Sequence, residues 1–362
     1  MTWWERVNPV FRSGPRGRNK QMRTRVAVGL SLLVLILAMA NVFVSHAQQP
    51  AGTAAQLTGN GTPPLSNPLK VALLKWYNAN TVPTTFPVGS QPYGMAFDGQ
   101  NIWTANFGAG TVSKVRANDG MLLGTFTAIN APYGVTFDGA DIWVSGYGGA
   151  DTKLRAMDGK NLGTFGIGPN AGWMAFDGEA IWIPTAPSQG NGSVVKLRAS
   201  DGQNLGSFTV GIAPIAVACD GVNVWVVNGG GNAGGNVTKL RATDGKLLGT
   251  FNVGVSPLGI AFDGAHIWVA NRGDGTVTKL RASDGVVLGT FTVPVEPYGV
   301  AFDGENIWVT GALAVTELKA SNGNVLGQFY CVQCVSNAST GVAFDGANIW
   351  VSWLNANMIG KL

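Results

Sequence analysis

Seven tryptophans, Trp103, Trp143, Trp182, Trp225, Trp268, Trp308 and Trp350, recur 39 to 43 residues apart. Each stands in a copy of one phrase close to G-V-A-F-D-G-x-x-I-W-V. A chain that repeats itself at this interval is built from units that cannot bury their apolar faces singly and must stack. Residues 257–296 show what one unit holds. Four short runs rich in Val, Ile, Phe, Trp and Thr are separated by breaks at Asp263-Gly264, at Asn271 to Gly275 and at Asp284-Gly285. Those runs predict four strands, and the Asp-Gly pairs predict tight turns in which glycine takes positive φ and aspartate bonds the turn backbone.

Seven four-stranded units in short β-strand language predict an all-β, seven-bladed β-propeller. The second strand of each unit alternates, with Ile and Val on one face and Trp on the other. Because blades stack face to face, both faces are expected to be buried. One buried Trp removes ~150–250 Å² from water, an upper estimate of about 4–6 kcal/mol. The third strand carries Lys-x-Arg at Lys114/Arg116, Lys153/Arg155, Lys196/Arg198, Lys239/Arg241 and Lys279/Arg281, with Glu317/Lys319 in the sixth copy. This ladder keeps step with the core residues. It is expected to lay its stems over apolar surface and send its heads to nearby aspartates or solvent.

The two ends of the domain complement each other. The last copy stops at Met358-Ile359-Gly360-Lys361-Leu362, which corresponds to a third strand. Thr84 to Gly89 reads like the fourth strand of other units. Pairing of these N- and C-terminal strands is expected to close the ring and remove an open sheet edge. Upstream, Asn67 to Tyr77 has helical spacing with Asn67 as N-cap and Pro68 in the first turn, and predicts a short helix or, alternatively, an extra strand.

Val26 to Val44 is an apolar run of 19 residues that follows Arg23 and Arg25 and precedes Ser45-His46-Ala47. This is the layout of a signal peptide cleaved after Ala47, with translation starting at Met1 or Met22. A retained membrane anchor facing outside is the alternative. The expected location is periplasmic or secreted. Residues 48–66 read as a flexible linker and 67–362 as the propeller domain. The net charge of +4 belongs to the leader, because residues 1–47 alone carry +6 and leave −2 for the remainder. Nothing in that balance calls for nucleic acid or an anionic membrane. Cys219 replaces the phenylalanine of the F-D-G phrase and is expected to be a small core residue. Cys331 and Cys334 form C-V-Q-C, too few ligands for zinc; a local disulfide is expected in an oxidising compartment.

The phrases P-Y-G-V-A-F-D-G-E-N-I-W-V at 297–309 and V-T-K-L-R-A-S-D-G at 277–285 resemble repeats of the YVTN and NHL β-propeller group, over residues 84–362. Streptogramin lyases share the seven-bladed architecture that this resemblance implies. The group includes binding proteins, scaffolds and enzymes, so the resemblance implies a fold and not one activity. Those lyases use a histidine base beside a divalent metal and an acid. After the signal this chain has one histidine, His266, next to an Asp-Gly turn. No lyase catalytic residue carries over, and no catalytic residue, metal or cofactor is assigned.

The Asp-Gly turns repeat almost unchanged on one face, whereas the loops after the Trp strand vary on the other. Variable loops on a rigid scaffold are where function is expected. At the starts of the innermost strands stand Tyr93, Tyr133, Trp173 and Tyr298, with Phe107, Tyr147, Arg272 and Trp353 on the nearby loops. The rings are candidates to stack a sugar, a small aromatic ligand, a peptide or a protein partner, or else they cap the core. The acids there, Asp151, Asp274 and Glu296, have no spacing that argues acid–base catalysis. The leading reading is an extracytoplasmic, non-enzymatic binding scaffold. A lyase- or hydrolase-like enzyme with an unrecognised site and a structural surface repeat are the alternatives.

Overall fold

The computed structural model describes residues 84–230, 234–294, 296–312, 314–330 and 339–362. The signal segment, the 48–66 linker, the 67–77 helix and the Cys331/Cys334 pair lie outside the described residues. The described strands form seven sheets of four antiparallel strands, the seven blades expected from the repeat. Blade 1 runs outward through Pro92–Phe97, Asn101–Asn106, Thr111–Arg116 and Leu122–Thr127. Blades 2 to 6 repeat this order. In blade 7 the outermost strand is Thr84–Pro87, antiparallel to Met358–Lys361 with Thr84 opposite Lys361 and Pro87 opposite Met358. The ring is therefore closed by the pairing of its N- and C-terminal strands.

Each tryptophan does two things in this frame. Its indole packs against the next blade: Trp103 joins Val135, Ile142 and Leu154, and Trp268 joins Val300, Ile307 and Leu318. Its Nε1 donates to the aspartate five residues earlier, from Trp103 to Asp98 at 2.7 Å through Trp350 to Asp345 at 2.8 Å. The same aspartate accepts the backbone N–H groups of its turn, such as Gln100 and Asn101 onto Asp98. One carboxylate thus holds the turn and satisfies a buried indole. An outer-strand phenylalanine covers each tryptophan at 5.1 to 5.7 Å. Phe86 does so for Trp350 at 5.5 Å and lies against Gly120, as Phe126 lies against Gly159.

The lysine ladder departs from expectation in where its heads go. The stems cross the blade's own Trp ring, with Nζ 4.8 to 5.4 Å from the centroid. The ammonium groups then donate to a backbone carbonyl of the next blade, as from Lys239 to Ala282 at 2.7 Å and from Lys279 to Ala320 at 2.7 Å. Lys361 of blade 7 reaches Ala117 of blade 1 at 2.8 Å, so the ladder also crosses the closure. Lys153 adds a bond to a carboxylate, Asp141 at 2.9 Å. The paired arginines behave as expected, meeting turn aspartates in exposed ion pairs such as Arg116 with Asp119. Lys239→Met should then destabilise by about 1–3 kcal/mol, because a buried carbonyl loses a charged donor. Arg241→Ala should stay within about 0.5 kcal/mol, because its pair with Asp244 is solvated. Urea denaturation of both variants checks this. Equal losses would mean that the ladder is surface decoration.

At the seam between blades 6 and 7 the ladder is broken by Glu317, which accepts from Asn306 Nδ2 at 2.9 Å. Burial and the charge of Asp303 raise its pKa. Near the axis the inner strands of adjacent blades almost touch. A Cβ at Gly259 would overlap the carbonyl oxygen of Tyr298, and one at Gly341 that of Tyr93. Glycine is needed there for close approach. Hydroxyls reinforce three seams: Ser145 donates to Gly172, Thr310 to Thr340, and Ser352 to Tyr93 O at 2.7 Å. Cys219 packs beside Trp182 and Val217 as a free thiol whose pKa burial pushes up.

Candidate functional site

The inner strands all start on the variable-loop face, opening with a proline in five blades, with Ala171 in blade 3 and with Ser339 in blade 7. In order around the ring the next residues are Tyr93, Tyr133, Gly172, Ile215, Leu258, Tyr298 and Thr340. Blades 1, 2 and 6 thus supply tyrosines and the others smaller residues, while in blade 3 the ring of Trp173 stands one position later, where blades 1 and 2 have Gly94 and Gly134. In blade 3 the sequence A-G-W-M replaces P-Y-G-V, and the regular inner strand shrinks to Ala175–Phe176. Trp173 instead exchanges backbone bonds with blade 4, its N–H to Ile215 O at 2.8 Å and its carbonyl to Val217 N at 3.1 Å. The indole lies beside Tyr133 of blade 2.

Five of the expected rings form one continuous group. Tyr133 stacks on Trp173 at 5.4 Å and meets Tyr93 at 4.9 Å. Phe107 touches Tyr93 at 5.3 Å and Tyr147 at 6.3 Å, and Tyr147 closes back on Tyr133 at 6.5 Å. These separations are those of mutually attractive offset and edge contacts. Tyr93 is buried at 7 % exposure, while Phe107, Tyr133, Tyr147 and Trp173 are half-buried. Trp353 does not join them. It ends the second strand of blade 7, 1 % exposed, in the core with Trp308 and Val351. The loop behind it is a single 3-10 turn at Leu354–Ala356, too short to carry the ring outward.

Tyr298 and Arg272 form a second part of the mouth. The Arg272 guanidinium lies 5.0 Å from the Tyr298 ring centroid and bonds Glu296 at 3.1 Å. The arginine side chain is 11 % exposed and the glutamate 58 %. Burial raises the pKa of all four phenols, that of Tyr93 to about 12, and the charge of Arg272 opposes the rise at Tyr93, Tyr133 and Tyr298. The phenols are therefore neutral near pH 7 and present O–H donors. Among the described residues no protein group bonds the hydroxyls of Tyr93, Tyr133 or Tyr147. The buried indole N–H of Trp173 likewise finds no acceptor.

The channel holds a cavity of about 140 Å³, lined by Trp173 itself with Gly94, Val135, Met174, Gly259 and Thr340 among others. Small-molecule pockets run to roughly 300–1,000 Å³. The channel is too small for such a ligand, so binding would have to take place at the mouth. The acids do not converge. Asp151 is fully buried, Asp274 accepts Val255 N–H at 2.7 Å, and Glu296 engages Arg272. His266 stands on the other face, held to Asp263 at 3.1 Å. Among the described residues no three acids, histidines or cysteines are placed to share a metal.

Sequence reasoning found the rings but not their grouping. The signal that marks the group is the A-G-W-M phrase of blade 3, the one unit whose inner strand departs from the repeat.

The architecture defines the class: a closed seven-bladed β-propeller with an aromatic mouth. No known protein-family description matches the chain, and no curated protein matches its sequence. Among solved structures it is similar to Kuenenia stuttgartiensis hydrazine synthase, with a TM-score of 0.67 and 14% identity, covering 78% of this chain and 96% of that one. It is also similar to a streptogramin B lyase, with a TM-score of 0.62 and 19% identity over 77% of this chain and 96% of that one. At such identities the likeness is one of fold.

Proposed function

We propose that this chain is a non-enzymatic binding propeller that works outside the cytoplasm and holds a ring-bearing ligand at its variable-loop mouth. The location rests on the sequence, whose apolar run ends in a small-x-small site at Ala47. The binding role is supported above all by one observation. Five contacting rings from three blades gather at the mouth, and among the described residues their three phenol hydroxyls have no protein partner. The Tyr93 ring is buried while its hydroxyl reaches solvent, so the hydroxyl is open to water or a ligand.

Tyr147 is the residue to test. Tyr133 contacts four other rings, so its removal also loosens the group. Tyr147 lies at the edge and is half-buried. Tyr147→Ala should weaken binding of the flat neutral probe 2-naphthamide by about fivefold, the worth of roughly 1 kcal/mol of stacking. The melting temperature should change by no more than about 3 °C. Calorimetric titration measures the first and a thermal melt the second. No saturable binding by the wild type at millimolar probe, or an unchanged affinity in the variant, would contradict the reading.

A further inference from the structure

Six of the seven blades bring their own cation to the tryptophan. In each, the third-strand lysine stands directly across the sheet from the indole and sets its Nζ over the ring. The turn aspartate that accepts the indole N–H supplies the counter-charge, nearest in blade 2, where Asp138 lies 3.4 Å from Lys153. All six of these indoles are 0 % exposed. Blade 6 keeps the indole and the aspartate, with Trp308 Nε1 donating to Asp303 at 2.7 Å. Across the strand from Trp308, however, stands Glu317. Two carboxylates therefore face an indole that every other blade shares between one carboxylate and one ammonium. Among the described residues neither acid has an ion pair, and Glu317 Oε1 meets only the neutral amide of Asn306 at 2.9 Å.

The packing is also more open here. Trp308 is 9 % exposed. A Cβ at Gly327, the residue paired with Glu317, would stand 3.4 Å from the outer-strand ring of Phe329, against 2.7 to 2.9 Å at the corresponding glycines of blades 1 to 5. We propose that the Trp308 face between blades 6 and 7 binds an alkylammonium group from solution, in the place where the other blades set a lysine. The ammonium lies over the indole, donates to Glu317 and approaches Asp303 as Lys153 approaches Asp138. Its alkyl chain covers the exposed part of the ring, as a lysine stem does. An aromatic face attracts a cation through its quadrupole, and a carboxylate beside it adds a charge-assisted hydrogen bond. The repulsion of Asp303, which with burial raises the pKa of Glu317, is relieved by the same cation. Divalent metals require about six or more oxygen ligands, far more than two acids bring. The site stands beside the Asp303 turn, on the face opposite the aromatic mouth, and does not depend on the role proposed there.

The probe is n-butylammonium, a lysine side chain without its backbone, and n-butanol is the neutral control. In the nitrogen-15-labelled full-length protein, with indole signals assigned by triple-resonance NMR, the Trp308 N–H should shift saturably. Half-saturation is expected on the order of 10 mM, the strength of one cation–π and one carboxylate contact. The Trp268 signal should stay still, because Lys279 already covers that ring. Glu317→Lys supplies the ammonium internally; it should raise the melting temperature by roughly 2–4 °C and abolish the response to the probe. Glu317→Gln keeps the shape without the charge and should weaken binding by about fivefold, which keeps the test decisive if the lysine variant fails to fold. No shift up to about 100 mM probe overturns the proposal. So does an equal shift with n-butanol or with sodium chloride at matched ionic strength, or an unchanged response in both variants. A tighter response to magnesium chloride would make this a metal site and overturn the alkylammonium assignment.

Discussion

Removing residues 1–88 should lower the melting temperature by roughly 10 °C and make the protein self-associate. The deletion takes away the outermost strand of blade 7, Thr84–Pro87, and leaves Met358–Lys361 as an open edge. It also takes away Phe86 and Val88, which pack with Met95, Ile102, Trp350 and Ile359 across the seam to blade 1. Phe86 is half-buried, so its loss costs on the order of 2 kcal/mol, less than the about 3–5 kcal/mol of a fully buried phenylalanine. Two further ties go with it or are left unmade: Val88 N–H to Asn357 O at 2.9 Å, and the position of Gln91, whose N–H donates to Asn357 Oδ1 at 3.0 Å. For a domain of this size each kcal/mol shifts the melting temperature by about 2–4 °C. The bare edge is a template for pairing with other chains, which size-exclusion chromatography would register. Phe86→Ala isolates the packing component and should account for a large part of the loss. A truncated protein that melts with the full-length chain and stays monomeric would show that the closure adds nothing.

Asp151→Val should stabilise the protein, and by more as pH rises. Six other blades place Val112, Val194, Val237, Val277, Val315 or Ile359 at this point of the third strand, all buried. Asp151 is 0 % exposed; its Oδ1 accepts Gly146 N–H at 3.3 Å, and its Oδ2 has no partner. Burial holds its carboxyl well above the usual carboxylate range. The sign of the pH effect follows. Below the ordinary value of about 3.9, both folded and unfolded chains are protonated and the residue adds no pH dependence. Above it the unfolded chain releases the proton while the folded chain keeps it. Stability therefore falls by about 1.4 kcal/mol for each pH unit until the folded carboxyl ionises as well. Valine removes that slope and the unpaired polar group, a gain on the order of 2 kcal/mol at neutral pH. Urea denaturation at about pH 4 and about pH 8 should show a small gain at the first and a larger one at the second. A gain independent of pH, or a loss, would mean that the carboxyl is solvated or charged in the folded state.

Much of this fold was legible because the same environment recurs seven times. Period, strand alternation, Asp-Gly turns and terminal complementarity all point to one ring, and the sheets follow them. The bonds that lock the ring were less legible. The Asp of F-D-G is explained well enough by its turn, so its second role, accepting the indole N–H, leaves no separate mark. The lysines could be read as surface residues because their true partners are backbone carbonyls of the next blade, and a carbonyl has no letter in a sequence. The glycines of P-Y-G-V reflect the approach of neighbouring inner strands, which the pattern of a single blade does not contain. At the mouth the residues were readable and their assembly was not. Trp173 stacks on Tyr133 from the position that blades 1 and 2 give to glycine, at a point where the backbone of blade 3 also bridges to blade 4. Trp353 read as a loop ring, but its loop is too short to lift it out of the core.

The central claim is that ligands lodge at the mouth, and the tyrosines report on it directly. Of the six tyrosines, Tyr93, Tyr133, Tyr147 and Tyr298 stand there, whereas Tyr330 lies exposed at the end of the outermost strand of blade 6. Fluorine NMR of the full-length protein carrying 3-fluorotyrosine, assigned by single Tyr→Phe changes, resolves them individually. Titration with 2-naphthamide should move the mouth signals, with Tyr133 and Tyr147 shifting most and Tyr330 unmoved. Shifts confined to Tyr330, or four mouth signals that stay still while the probe is shown to bind, would place the site elsewhere and contradict the account.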